Sequence, residues 1–107
     1  MPDHRRRARV FAALGDETRL ALVDRLGGGR RSITQLARGS TVTRQAVSKH
    51  LRVLEHAGLV RGVREGRRRV YALEPGGLGA VREYLESFSK RWGDARGRLK
   101  TFVEIDP

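Results

Sequence analysis

Val10, Phe11 and Leu14 stand three and four residues apart in the opening stretch, the spacing of one helix face, and Asp3 is available to cap that helix. After Gly15, Asp16 offers a second cap, for a helix that carries Leu20, Val23 and Leu26 toward a core. Gly27, Gly28 and Gly29 end it. Ser32 and Gln35 have the spacing of a capping box, so a short helix is expected from Ile33 to Arg38. Ser40 to Thr43 reads as a turn, with Thr43 capping the next helix, Arg44 to Ala57.

That helix has two chemically different sides. Advancing each residue by about 100° groups Val47, Leu51 and Leu54 on one face, flanked by Ala46, His50 and Ala57. Gln45, Ser48, Lys49 and Arg52 fall opposite, together with His56. Gly58 supplies the positive φ that stops a helix before a strand. Leu59 to Arg64 and Arg67 to Leu73 then read as a hairpin around Glu65 and Gly66. Pro75, Gly76 and Gly77 are expected to break the chain. Beyond them Val81, Leu85, Phe88, Trp92, Leu99 and Val103 fall near one stripe, with Tyr84 and Phe102 beside it. The predicted helix, Leu78 to Glu104, is about 38 Å long at 1.5 Å per residue, more than so small a domain covers by itself. It needs a partner surface.

The chain has 107 residues, which fits one domain and leaves a modest core, so self-association is a natural way to complete it. Charge changes the picture more. With 23 Lys+Arg against 12 Asp+Glu the formal net charge is +11, a field that attracts polyanions. An acidic protein or an anionic membrane would satisfy composition alone. Arginine dominates, however, and its planar fork matches phosphates and base edges. The first residues lack the apolar run of a signal peptide or membrane span, which predicts a cytoplasmic, nucleoid-associated protein with no membrane partner.

Cysteine is absent, which removes disulfides, thiolate chemistry and Cys-ligated zinc. His4, His50 and His56 include no i, i+4 pair of the kind that holds a metal. The triple glycine lacks the spacing of a phosphate loop, and no acid and base pair suggests a catalytic centre. The sequence therefore predicts no enzyme, no cofactor and no metal.

Two short helices joined by a tight turn, the second polar on one side and followed by a basic hairpin, form a winged helix-turn-helix. The expected fold class is mostly α with a small β-hairpin, in a single domain spanning 1–107. The major groove of double-stranded DNA admits one helix, and glutamine, arginine and serine match its base edges. Arg44, Gln45, Ser48 and Lys49 are thus the candidate reading face, with Arg52 beside them as a further DNA-binding candidate, although a merely solvated helix also carries such residues. Thr43 is a cap whose hydroxyl or neighbouring N–H can approach a phosphate. Arg64, Arg67, Arg68 and Arg69 crowd one tight turn, where phosphate or minor-groove contact would relieve their repulsion; a solubilising turn is the alternative, and Arg69 can instead lie along the sheet. Arg5, Arg6, Arg7 and Arg9 form a second cluster, read as a mobile solvated start or a backbone-contacting arm. His50 reads as a packed or hydrogen-bonded residue at the edge of the core face rather than a metal ligand. The Tyr84, Phe88 and Trp92 stripe reads as core or dimer interface rather than a ligand-stacking platform.

"FAALGDETRLALVDRL" (11–26), "SITQLA" (32–37), "TRQAVSKHLRVLEHAGLV" (43–60) and "REGRRRVYAL" (64–73) together resemble the ArsR-type winged-helix repressors of bacteria and archaea. The resemblance covers about residues 8 to 75. It implies a homodimer that binds a palindromic operator and represses transcription, with Arg44, Gln45, Ser48, Lys49 and His50 on the recognition helix and 61–71 as the wing. Arsenic and cadmium sensors of that family hold metal through cysteines where this chain has Ser32 and Thr34. Their zinc-sensing relatives use Asp and His on the last helix, and 78–104 contains no histidine. The scattered carboxylates Glu83, Glu86, Asp94, Glu104 and Asp106 do not replace nitrogen or sulfur donors for zinc. The likeness is thus to a branch without the metal motifs, whose effector, a small molecule or a protein where there is one, is unidentified. Phe11, Leu14, Val81, Tyr84, Leu85, Phe88 and Trp92 are the candidate dimer interface. Two other classes fit the basic charge: a sequence-independent architectural nucleic-acid binder, and an adaptor that docks a protein on the Trp92 stripe.

Overall fold

The computed structural model describes residues 2–105, with side chains over 4–99. Eight elements follow in order: α1 (Pro2–Leu14), α2 (Glu17–Gly27), β1 (Arg31–Ser32), α3 (Ile33–Arg38), α4 (Arg44–His56), β2 (Val60–Glu65), β3 (Arg68–Leu73) and α5 (Pro75–Ile105). Helices α1 to α4 enclose a core in which Leu36, Val47, Leu51, Leu54 and Leu59 are completely buried. The apolar face of α4 predicted from periodicity is the middle of that core.

Local chemistry sets most of the boundaries. Asp16 accepts from the backbone N–H of Arg19 at 3.0 Å and starts α2. The capping box forms as expected, Ser32 Oγ accepting from Gln35 N at 3.2 Å and Gln35 Oε1 from Ser32 N at 2.8 Å. Thr43 Oγ1 accepts from Ala46 N at 3.1 Å and starts α4. At the other end of α4, Gly58 has φ +77°, its N–H reaches Glu55 O, and the N–H of Leu59 reaches Leu54 O. Those paired bonds are a Schellman closure, and they aim the chain straight into β2.

The sheet is larger than the expected hairpin. Strand order is β1-β3-β2, all antiparallel, with Arg31 opposite Tyr71 and Ser32 opposite Val70. Two residues of β1 seal the inner edge of β3 against α3. The hairpin turn is Gly66-Arg67, one residue later than predicted, because Glu65 pairs with Arg68. Gly66 has φ +62° and no non-glycine residue among the described residues has positive φ, the pattern of a II′ turn with glycine first.

Three other expectations change. Leu20 is exposed, and Leu22 takes the buried place on α2 beside Leu26. Asp3 lies inside α1, which begins at Pro2, so it is not a preceding cap, and Arg5, Arg6, Arg7 and Arg9 are exposed residues of that helix. Pro75 does not break the chain; it is the first residue of α5, where its missing N–H would have had no helical partner. The last helix therefore spans 75–105 instead of 78–104. The side chains of Phe102, Val103 and Glu104, and Asp106 altogether, lie outside the described residues.

Candidate nucleic-acid interface

Burying Val47, Leu51 and Leu54 forces the opposite side of α4 outward. Arg44, Gln45, Lys49 and Arg52 are exposed there, with Ser48 half-buried at the edge. Arg44 and Gln45 occupy the first turn, where the positive end of the helix dipole faces out. Thr43 is exposed, but its hydroxyl is committed to the cap. The helix thus presents a short, polar, base-competent ridge over its N-terminal half.

His50 faces the other way. Its Nδ1 lies 3.3 Å from the Arg19 guanidinium and 3.8 Å from the Asp16 carboxylate. Arg19 in turn donates to the carbonyl oxygens of Ala13 at 2.6 Å and Ala12 at 3.3 Å, which are the open end of α1. The result ties the end of α1, the start of α2 and the middle of α4 at one point. The N–H of Arg19, followed by the positive charges of Arg19 and His50, holds the Asp16 carboxyl below its ordinary range.

The wing stands beside the ridge. Arg64 and Arg69 are directly opposite each other in the β2 and β3 register. Arg69 lies along the sheet: its Nε donates to the Tyr71 hydroxyl at 2.9 Å, and Glu55 of α4 is 3.7 Å away. The Tyr71 hydrogen bond, with Glu55 adding to it, raises the pKa of Arg69 further above its ordinary value. Gly62 makes room for this tier, since a Cβ there would come 2.7 Å from the Tyr71 ring. Glu65 at the wing tip pairs with Arg30. Arg44, Arg64, Arg67, Arg68 and Arg69 line one hollow of about 160 Å³ between the start of α4 and the wing, with Ile33 behind it.

The candidate dimer residues divide into two sets. Leu14 and Val81 pack against the core of their own chain. Phe11 meets Tyr84 edge-on at 5.2 Å, Tyr84 stacks on Phe88 at 6.3 Å, and Phe88 stacks on Trp92 at 6.5 Å. Arg7 lies over the Tyr84 ring. Leu85, Phe88, Trp92 and Leu99 nevertheless remain about half exposed, from 47% to 63%. Among the described residues no group of three or more His, Asp or Glu side chains is placed to hold a metal ion, and no helix is long and apolar enough to cross a membrane.

Sequence reasoning missed Arg19, Glu55 and Arg25, the last of which donates to the Leu36 and Gln35 carbonyls and straps α3 to α2. Their partners lie 10 or more residues away or on another element, and no local spacing marks such pairs.

Comparison with known proteins follows the same outline. A helix-turn-helix domain family matches residues 14–63. The chain is 46% identical over 91 residues to the HTH-type transcriptional regulator Rv2034 of Mycobacterium tuberculosis, covering 85% of each protein. Among solved structures, an ArsR-like transcriptional regulator from Rhodococcus sp. RHA1 is 34% identical with a TM-score of 0.81, over 95% of this chain and 96% of that one. The homodimeric winged helix-turn-helix DNA-binding domain of a Mycobacterium bovis protein is 27% identical with a TM-score of 0.67, over 80% of both.

Proposed function

The chain belongs to the ArsR family of winged-helix transcriptional regulators, which makes it a DNA-binding regulator, and from that premise we propose a homodimeric repressor that reads an inverted-repeat operator. Gln45, Ser48 and Lys49 read base edges in the major groove, Arg44 flanks them at the start of the helix, and Arg52 with the wing arginines Arg64, Arg67 and Arg68 grips the backbone. Arg69 and His50 act from behind, the first by stiffening the wing against Tyr71 and the second by seating α4 on Arg19. The whole chain is one winged-helix domain with α5 as its dimerisation helix. Its distal stripe meets a second copy, as the homodimeric Mycobacterium bovis relative suggests. Any effector, small molecule or protein, acts by shifting that pairing.

The observation that carries this reading is the division of α4. Its buried face is entirely apolar, and its exposed face offers residues whose hydrogen-bonding patterns match bases. A sequence-independent binder would not need that division. Two recognition helices about 34 Å apart should enrich an inverted repeat from a pool of random duplexes. Gln45→Ala should then change the preferred sequence, whereas Arg67→Ala should weaken all sequences alike and lower the salt dependence. Equal retention of every duplex in the pool would leave an architectural binder instead.

A further inference from the structure

Resting on that DNA-binding reading, we propose that the hollow between α4 and the wing is a phosphate seat, in which recognition helix and wing grip the same phosphate of the nucleic-acid backbone. Arg44 closes it from the helix side, and Arg64, Arg67, Arg68 and Arg69 close it from the wing. Its volume of about 160 Å³ holds a tetrahedral anion and falls well below the roughly 300–1,000 Å³ of sites for drug-sized ligands.

Charge balance calls for an anion there. No ion pair with a carboxylate involves Arg44, Arg64, Arg67 or Arg68 among the described residues; Arg64 Nε reaches only the Gly66 carbonyl, at 3.4 Å. Glu65 pairs with Arg30, and Glu55 lies 3.7 Å from Arg69, so of the arginines around the seat only Arg69 has a carboxylate near it among the described residues. Arg64 directly opposite Arg69 is a like-charge cross-strand pair, an arrangement that destabilises a bare hairpin. Guanidinium forks take phosphate oxygens two at a time, and the N-terminal end of the 13-residue α4 adds its positive pole. Arg44 is also the neighbour of Gln45 on the reading ridge, so whatever fills the seat lies alongside the groove being read. A backbone phosphate meets that condition. The seat also assigns the arginines around the wing's turn to the backbone rather than to the minor groove.

Methylphosphonate substitution, which neutralises one phosphate at a time in the selected operator, tests this with the full chain. For the wild type, one position in each half-site should weaken binding about tenfold. The same substitution should cost nothing further in Arg44→Gln or in Arg68→Gln, with circular dichroism confirming that both variants fold. Loss of sensitivity at two different phosphates, or at none, would overturn the shared seat. Inorganic phosphate at constant ionic strength separates the other source of the same chemistry: saturable displacement of DNA by millimolar phosphate, lost in both variants, would make the hollow a free-anion site and overturn the backbone assignment. Failure to select any operator would sink the reading on which the seat rests, and sequence selectivity with two separate phosphates would sink only the seat.

Discussion

A Cβ added at Gly77 would lie 1.9 Å from the carbonyl oxygen of Gly58. The first turn of α5 is therefore pressed directly on the turn that leaves α4, backbone against backbone. Neither side can yield without moving an element, so Gly77→Ala should destabilise the fold by about 1–3 kcal/mol, the usual penalty of overpacking, as read by urea denaturation. Glycine at 76, with open space around its Cβ position, should tolerate alanine and serves as the control. Asp16 gives a second single-residue expectation. Its pKa is lowered in the fold from an ordinary 3.8, first by the hydrogen bond from Arg19 N, so its charged form stabilises the native state. That contribution is present above 3.8 and is lost as pH falls through the lowered value. Asparagine at this position keeps a cap acceptor but has no proton to gain. Thermal melts of Asp16→Asn should therefore show a shallower acid-side decline than the wild type below about pH 4, with Arg19 and His50 left in place. Parallel declines for the two proteins would mean that another carboxylate governs acid stability.

Between elements, the most informative joint is Arg19. Its guanidinium closes the carbonyl end of α1 and reaches His50 on α4, so one side chain fixes the angle between the helix that packs on α5 and the proposed recognition helix. Arg19→Met keeps much of the stem and removes all three interactions. It should lose about 1.5–3 kcal/mol of stability, the range for hydrogen bonds from a charged group, and should reduce discrimination between operator and random DNA more than overall affinity for DNA. Unchanged discrimination in a folded variant would show that α4 is seated by its apolar face alone. This joint also marks what can be read in the sequence. The capping box at Ser32, the cap at Thr43, the stop at Gly58 and the two-sided α4 follow from spacings of a few residues, and each was legible. Leu20 was misassigned because Leu20 and Leu22, two positions apart, lie on opposite sides of the helix, and only the packed neighbours turn the Leu22 side inward. Strand β1 was invisible because two residues carry no period; pairing with Tyr71 and Val70 makes them a strand. The polar, exposed face of α4 was legible for the same reason as the core, but the turn of His50 toward Arg19 and of Arg69 toward Tyr71 depends on partners the chain brings together only when folded.

The whole molecule is 68 Å in its longest dimension and 29 and 22 Å across, because α5 extends past the body it starts on. At 1.5 Å per residue its 31 residues reach about 46 Å. Near its start Val81 is covered by the chain's own core, and farther along Leu85, Phe88 and Trp92 lose that cover. The aromatic ladder from Phe11 through Tyr84 to Trp92 runs from the covered part into the exposed part, so it orders the distal side chains before any partner arrives. Completing the burial of Leu85, Phe88 and Trp92 against a second copy would recover part of roughly 1.5–3 kcal/mol for each, an upper range because half of each is already covered. Phe88→Asp should place a charge in that seam and yield monomers, measured by analytical ultracentrifugation at concentrations where the wild type is dimeric. Since Phe88 is 47% exposed in the single chain, the monomer should keep its fold and its far-ultraviolet spectrum. Its exposed α4 face and wing arginines remain in place, so it should still bind DNA in a salt-sensitive way. Only the second half-site is lost, and operator affinity should fall toward that for random duplexes. A Phe88→Asp protein that stayed dimeric and held its operator unchanged would assign the exposed stripe to some surface other than a second copy.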